Sequence, residues 1–443
     1  MQPHRPADLP DFTRRSSVMG SALFICPHWH QFGNVGVLRA RRMVRWMHEA
    51  GWTVTVVCAG SRSRLERADF GSVITRKDPL GIFTENDGPH GSAALRRPNR
   101  FRRLLAYALL TPDLQLPWAL ACRWSTDVQK AAANSQVILS SSPPESAHVL
   151  AGWLHQQHDV PHIIDLRDGW LDEPMKPLLK SSSLQQIREK RLEKRLLTAA
   201  SAILVTSHEW KSLLRKRYPQ LSHRIQVLTN AYPDHPPVIR TRQPVPDAPL
   251  RVLHAGRISS SRPERNPQEL LSLLFQAFTS VHESSGSLIF LGSMEHEEVD
   301  FIRSREADFS ARGWTITRES QVSHARALER MAATDLLILY SASQASIPAK
   351  FFDYLHAGKP ILCICPPGSA VWHASEDLAQ VYRLNPEQPD FTQLKDFIVS
   401  SKKSPLPGTA LPVHFSDRHL GRRFIDLLNQ TRNPEIITRG KAY

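Results

Sequence analysis

The sequence predicts an α/β protein of two doubly wound, Rossmann-like domains, and three observations carry that expectation. Short β-branched apolar stretches alternate with stretches of helical period from about residue 22 to 228, the alternation breaks over 230–250, and it restarts at 251. Strands alternating with helices over such lengths form parallel sheets covered on both faces. The break holds Pro233, Pro236, Pro237, Pro244, Pro246 and Pro249. Proline lacks the N–H that a helix interior or central strand needs, so this segment reads as an interdomain linker. A chain of 443 residues also exceeds one ordinary core.

The elements follow in order. Residues 22–26 read as a strand, and a loop with Gly33 and Gly36 leads into a helix. On it Val37, Ala40, Val44 and Met47 fall at the spacing of one buried face. Gly51 stops that helix and residues 52–58 resume as a strand. Residues 60–115, with their Pro, Gly and Arg, give no secondary-structure reading. Further strands are expected over 136–140, 163–166, 202–206 and 224–228, with helices over 145–155, up to 199, and up to 218. Beyond the linker, strands are expected over 251–255, 287–291, 314–317, 336–340 and 360–365. The organisation is then a disordered tail (1–18), a first domain (19–232), the linker (233–250), a second domain (251–414) and a final helix (415–443). That last helix is expected to pack back toward the first domain and end loosely.

Composition narrows the class. The longest apolar runs are strand-sized, so no membrane-crossing helix is expected, and the polar N-terminal stretch lacks a signal peptide's apolar core. The cysteines, Cys26, Cys58, Cys122, Cys363 and Cys365, form no CxxC pair. An odd number without a framework suits a reducing compartment, the cytoplasm being the simplest. A net charge of +14 implies an acidic partner: nucleic acid, an anionic membrane or a phosphate-bearing substrate.

Ligands of open α/β sheets bind beyond the carboxyl ends of strands, where glycine loops and helix N-termini meet phosphate. Several loops occupy that position. Gly33 and Gly36 let backbone N–H groups approach a ligand, and they equally suit a plain tight connection. Asp165, Arg167, Asp168, Gly169 and Trp170 follow a strand, and so many charges there must be solvated, paired or used. Residues 140–148, ending at His148, form a similar loop. Gly256, with Arg257 and Arg262 beyond it, suits a diphosphate, since guanidinium binds phosphate oxygens bidentately. Residues 347–362 read as a loop, a short helix starting near Ala349 and Lys350, a stop at Gly358, and a strand. Its N-terminus with Lys350 can hold phosphate, and Asp353, one turn on, can accept from ribose hydroxyls.

Taken in order, these segments resemble a family 4 glycosyltransferase of the GT-B fold, most like bacterial polysaccharide-type members. The series covers GVLR (36–39), GW (51–52), Pro112-Asp113 with Trp118, SSPPESAH (141–148) and DLRDGW (165–170). It continues with TS (206–207), LTNAY (228–232), HAGR (254–257) and IPAKFFDYLHAGKPIL (347–362). The resemblance implies two facing domains across a central cleft, the second binding a nucleotide sugar such as a UDP- or GDP-sugar and the first the acceptor. It implies transfer with retention of configuration in surface polysaccharide biosynthesis. Arg257 and Arg262 match the family's cationic pair on the donor diphosphate and, with Asp168 and Arg167, form the expected catalytic set. Gly33, Gly36, Gly256, Ser207, Gly292, Ala349, Lys350, Phe351 and Asp353 are expected at the donor, and Arg39, His148, Asp165 and Trp170 at the acceptor. Asp353 stands for the second acid of the family's paired-glutamate motif, and Ala345 replaces the first.

No DxD motif occurs, so no metal or other cofactor is expected. The acceptor is expected to be a saccharide or lipid-linked saccharide. The run 96–110, where Phe101, Leu104, Leu105 and Ala108 share helical spacing beneath five arginines, is the candidate for an anionic membrane surface. Each cation there contributes roughly 1 kcal/mol; a solvated basic helix on its own domain is the other reading. No nucleic acid is expected, there being no zinc spacing or RNA-binding aromatic motif. Two further readings stay open: a sugar-nucleotide epimerase, and a non-catalytic nucleotide- or nucleic-acid-binding protein.

Overall fold

The computed structural model describes residues 20–31, 35–81, 110–172, 183–234, 249–256, 267–280, 285–403 and 411–432. The tail, Gly33, Arg257, Arg262 and nearly all of the basic run 96–110 lie outside the described residues.

The first sheet has strand order β3-β4-β2-β1-β5-β6-β7-β8. Its strands are β1 (Gly20–Ile25), β2 (Trp52–Gly60), β3 (Arg64–Ala68), β4 (Gly71–Lys77), β5 (Val137–Ser142), β6 (His162–Leu166), β7 (Ala202–Val205) and β8 (Ile225–Val227). All neighbours pair in parallel except β3 and β4, an antiparallel hairpin at the edge. The order reverses between β1 and β5, so loops leaving those two strands flank a topological switch point.

Helix α1 (Val35–Glu49) covers this sheet because Val37, Ala40, Val44 and Met47 recur on one face, all at most 2% exposed. Gly51, at φ 81°, ends it in a conformation only glycine adopts readily. Helices α2 (Leu116–Arg123), α3 (Thr126–Ala133), α4 (Ser146–His158), α5 (Ser183–Ala199) and α6 (His208–Arg217) complete the described layers.

The second sheet has order β11-β10-β9-β12-β13-β14, all parallel. Its strands are β9 (Leu250–Ala255), β10 (Gly286–Leu291), β11 (Trp314–Glu319), β12 (Leu336–Tyr340), β13 (Ile361–Ile364) and β14 (Val381–Leu384). Counted from its own first strand this is 3-2-1-4-5-6, the dinucleotide-fold order, with its switch point between β9 and β12. Helices α7 (Pro267–Ser280), α8 (His296–Ser310), α9 (His324–Ala332), α10 (Ala349–Ala357), α11 (Ala370–Ala374) and α12 (Thr392–Lys403) surround it.

The last helix, α13 (Asp417–Arg432), packs on the first domain. Leu420, Phe424 and Leu428 join the core of Met43, Trp46 and Met47, and a side chain at Gly421 would meet Trp46 at 2.9 Å. The chain crosses between domains at Tyr232, whose N–H donates to the Phe415 carbonyl and whose carbonyl accepts from Asp417 N–H. The carboxyl ends of the two sheets face each other. Ser207, just past β7, donates its hydroxyl to the carbonyl of Ala345, past β12. Beside it Glu209 accepts from His373 at 2.9 Å. All five cysteines are buried and unbridged.

Candidate functional site

The second domain contributes three elements that meet at its switch point. Gly256 (φ 91°) ends β9 and Gly292 (φ 136°) ends β10, and a side chain on Gly292 would come 3.2 Å from the Gly256 Cα. The positive φ favours glycine at both, and at Gly292 the close backbone adds to it. Helix α10 is anchored beside them because the Ala255 N–H donates to the Tyr354 hydroxyl at 2.9 Å. It starts after Pro348 with no side-chain cap on its N-terminal turn and stops at Gly358 (φ 62°).

From its first turn Lys350 reaches back, Nζ donating to the Ala255 carbonyl at 2.9 Å and lying 3.4 Å from His254 Nε2. No described carboxylate forms an ion pair with Lys350. Enclosure by protein pushes its pKa down to about 8. A crowded cation with no counter-ion among the described residues, at glycine-lined strand ends and a helix N-terminus, suits an anion. One turn on, both carboxylate oxygens of Asp353 lie 3.2 Å from His324 Nε2, and this hydrogen bond raises the His324 pKa.

The first domain brings three loops together opposite. After β1, His28 Nδ1 bonds Gln31 Oε1 at 3.0 Å. Arg167, after β6, donates to the carbonyls of Ser142 (2.6 Å) and Pro143 (2.9 Å) past β5. Its guanidinium fills the space above Gly36, where a side chain would fall 1.2 Å from Arg167 Nη1. Burial, then Arg167, pushes the His28 pKa down to about 4, so its imidazole is neutral at pH 7. Asp168 is open to solvent but stands in crowded surroundings that raise its carboxyl pKa, with Arg167 opposing.

Several expected contacts lie elsewhere. Arg39 and Asp165, expected at the acceptor, are 5% and 1% exposed and satisfy each other: Arg39 Nη2 donates to Asp165 Oδ1 at 2.7 Å and Nη1 to the Thr229 carbonyl at 3.0 Å. Asp165 also accepts the Ser141 hydroxyl. Two charges so paired brace three segments of the sheet and present nothing to a ligand. His148 is fully buried, its Nδ1 2.7 Å from the Ser140 hydroxyl, and Trp170 is buried with its indole N–H on Glu189 at 2.9 Å. Both belong to the core. The Phe351 ring packs on Phe352 and Phe415, which leaves only its backbone near the anion site. The Ser207 hydroxyl is taken by the Ala345 carbonyl and by the Trp210 N–H at the start of α6. Ala345 itself is 5% exposed and packs among first-domain apolar residues.

Structure adds two residues that the motifs did not mark. His28 sits in a loop already singled out, with Gln31 three residues on, but Arg167 comes near it only through folding. His324 opens a helix after Ser323, with no pattern linking it to Asp353.

Residues 36–231 match a family described as "Glycosyl transferase 4-like domain". No curated protein matches the sequence. Among solved structures, the fold is similar to Anabaena Alr3699/HepE in complex with UDP and glucose: 14% identity, 93% of this chain and 100% of that one, TM-score 0.55. It is also similar to a glycosyltransferase from Rickettsia africae ESF-5: 12% identity, 94% and 99% coverage, TM-score 0.58. A third is the lipopolysaccharide outer core galactosyltransferase WaaB, apo form: 12% identity, 93% and 99% coverage, TM-score 0.54.

Proposed function

The chain is a glycosyltransferase of the GT-B fold with a glycosyl transferase 4-like domain over residues 36–231, and from that premise we propose that it moves a sugar from a nucleotide-sugar donor to a saccharide or lipid-linked saccharide. The observation that carries this reading is Lys350, a cation that no described carboxylate pairs with, beside Gly256, Gly292 and the start of α10. Breaking a sugar–phosphate bond places negative charge on the leaving diphosphate and positive charge on the anomeric carbon. Fixed donors around the diphosphate stabilise that charge, each contributing about 3 kcal/mol. In this reading Lys350, the first-turn N–H groups of α10 and the strand-end glycines hold the diphosphate, with Arg257 and Arg262 as the resemblance implies.

Asp353 then accepts from the ribose hydroxyls, and Arg167, Asp168 and His28 face the sugar and acceptor. UDP bound to the similar HepE structure supports a uridine donor. Transfer is read as retaining and free of any metal or other cofactor, since cations of the chain neutralise the leaving group. The pathway is read as surface polysaccharide synthesis at the cytoplasmic membrane face. No helix among the described residues is long and apolar enough to cross a membrane. Exposed Trp124, 5.1 Å from Arg123 and beside exposed Leu120, supports peripheral attachment together with the basic run 96–110; sedimentation with anionic liposomes tests it.

The deciding experiment screens UDP- and GDP-sugars for transfer in chelator and repeats the assay with Arg257→Ala. Transfer should persist in chelator and fall at least tenfold in the variant. Donor consumed without acceptor, strict dependence on manganese, or a variant within tenfold of wild type at saturating donor would overturn the corresponding part.

A further inference from the structure

A cavity of about 560 Å³ opens at the hinge and shares no residue with the cleft site. Its walls include Tyr232 and Asp234 of the linker, His356 of α10, and Arg418, His419 and Arg422 of α13. Arg418 and Arg422 lie four apart on one helix, where like charges repel unless an anion lies between them. Asp234 is the one acid among the described residues that line it, and it accepts the backbone N–H of Arg418 at 2.7 Å. His356 approaches from the other domain. It is 9% exposed, and its ring makes no hydrogen bond to any described residue. Its ring lines the cavity, where a ligand oxygen can accept an imidazole N–H.

We propose that this cavity is a second anion site, taking a small phosphorylated molecule between Arg418, Arg422 and His356. Two guanidiniums of α13 and an imidazole N–H of α10 approach from two sides, which suits the several oxygens of a phosphate better than one carboxylate. The volume falls within the range of small-molecule pockets, about 300–1,000 Å³. The site also lies where the chain crosses between domains. The Tyr232 hydroxyl donates to the Pro412 carbonyl at 3.0 Å, and the Tyr232 backbone bonds Phe415 and Asp417. An occupant joins α10 of the second domain to α13, which packs on the first, and so restrains the opening of the cleft.

Calorimetric titration with inorganic diphosphate tests the proposal, using full-length Lys350→Met to weaken the cleft site. Residual diphosphate binding is expected in that background, and adding Arg418→Ser with Arg422→Ser should weaken it at least tenfold. Both arginines are exposed, so folding should survive; His356→Gln is the second variant and should weaken binding with an unchanged circular dichroism spectrum. Absence of diphosphate binding in Lys350→Met, or equal affinity after the arginine changes, overturns the hinge site. If Lys350→Met leaves wild-type binding unchanged while the arginine changes abolish it, the hinge site stands and the cleft reading fails.

Discussion

Ser207 and Ala345 tie the two domains together: the hydroxyl of the first donates to the carbonyl of the second, in a buried contact. By its resemblance to family 4, the chain would carry the first carboxylate of the paired-acid motif at Ala345, eight residues before Asp353. Here that position is buried against apolar side chains of the first domain. Ala345→Glu should therefore lower activity at least tenfold, since an unpaired carboxylate would be desolvated at the contact. Small-angle scattering should show a wider molecule. A variant more active than wild type would mean that the acid is missing rather than replaced.

The Arg39–Asp165 pair yields the opposite kind of prediction. Removing one partner strands a buried charge, at a typical cost of about 3–5 kcal/mol. Arg39→Met should lose that much in urea unfolding, and its folded fraction should keep kcat/KM within about threefold. A large acceptor KM effect with unchanged stability would return Arg39 to the acceptor site.

These two cases mark how far the sequence could be read. Periodicity is local, so the α1 face of Val37, Ala40, Val44 and Met47 could be read from it, as could most core strands, though not β4 with its buried Val73 and Ile74. Strand β3 (Arg64–Ala68) could not, because an edge strand with its side chains in solvent carries no apolar alternation. Strand β14 escaped for its brevity, four residues with two of them half-buried. Motifs identify the loops at strand ends, since glycines and charges accumulate there. They do not say which side chains turn inward. Arg39 and Asp165 are 126 residues apart, and only the register of β6 beside β5, with α1 packed over them, makes them partners rather than ligand contacts. His148 was expected where a loop enters the helix over 145–155, and it lies buried in the first turn of α4.

Gly36 and Arg167 give a prediction that separates chemistry from stability. Alanine is ordinarily better than glycine within a helix by about 1 kcal/mol. At this position the added methyl would occupy the place of Arg167 Nη1, so the guanidinium must leave the Ser142 and Pro143 carbonyls. Gly36→Ala should fold with a melting temperature near wild type and lose at least tenfold in kcat. Full activity would show that Arg167 does not need its present seat.

Lys350 sets a pH dependence whose sign can be worked out. Its pKa is lowered to about 8 in the folded protein, below the ordinary lysine value near 10.4. Between those values the unfolded chain binds more protons, so the contribution of Lys350 to stability rises with pH through that window. Below about pH 8 the charged amine is unfavourable in the empty protein, and a bound diphosphate reverses this by holding the charged form. Donor binding near pH 8 should therefore take up a proton, and donor KM should climb about tenfold per pH unit above it. Kinetics from pH 7 to 10 check this, with calorimetry in two buffers of different ionisation enthalpy for the proton. Lys350→Met should bind donor weakly with no step near pH 8. Lys350→Arg should keep the low-pH affinity without the step, because guanidinium stays charged throughout. If the methionine variant retains the step, the titrating group is another residue and Lys350 does not hold the diphosphate.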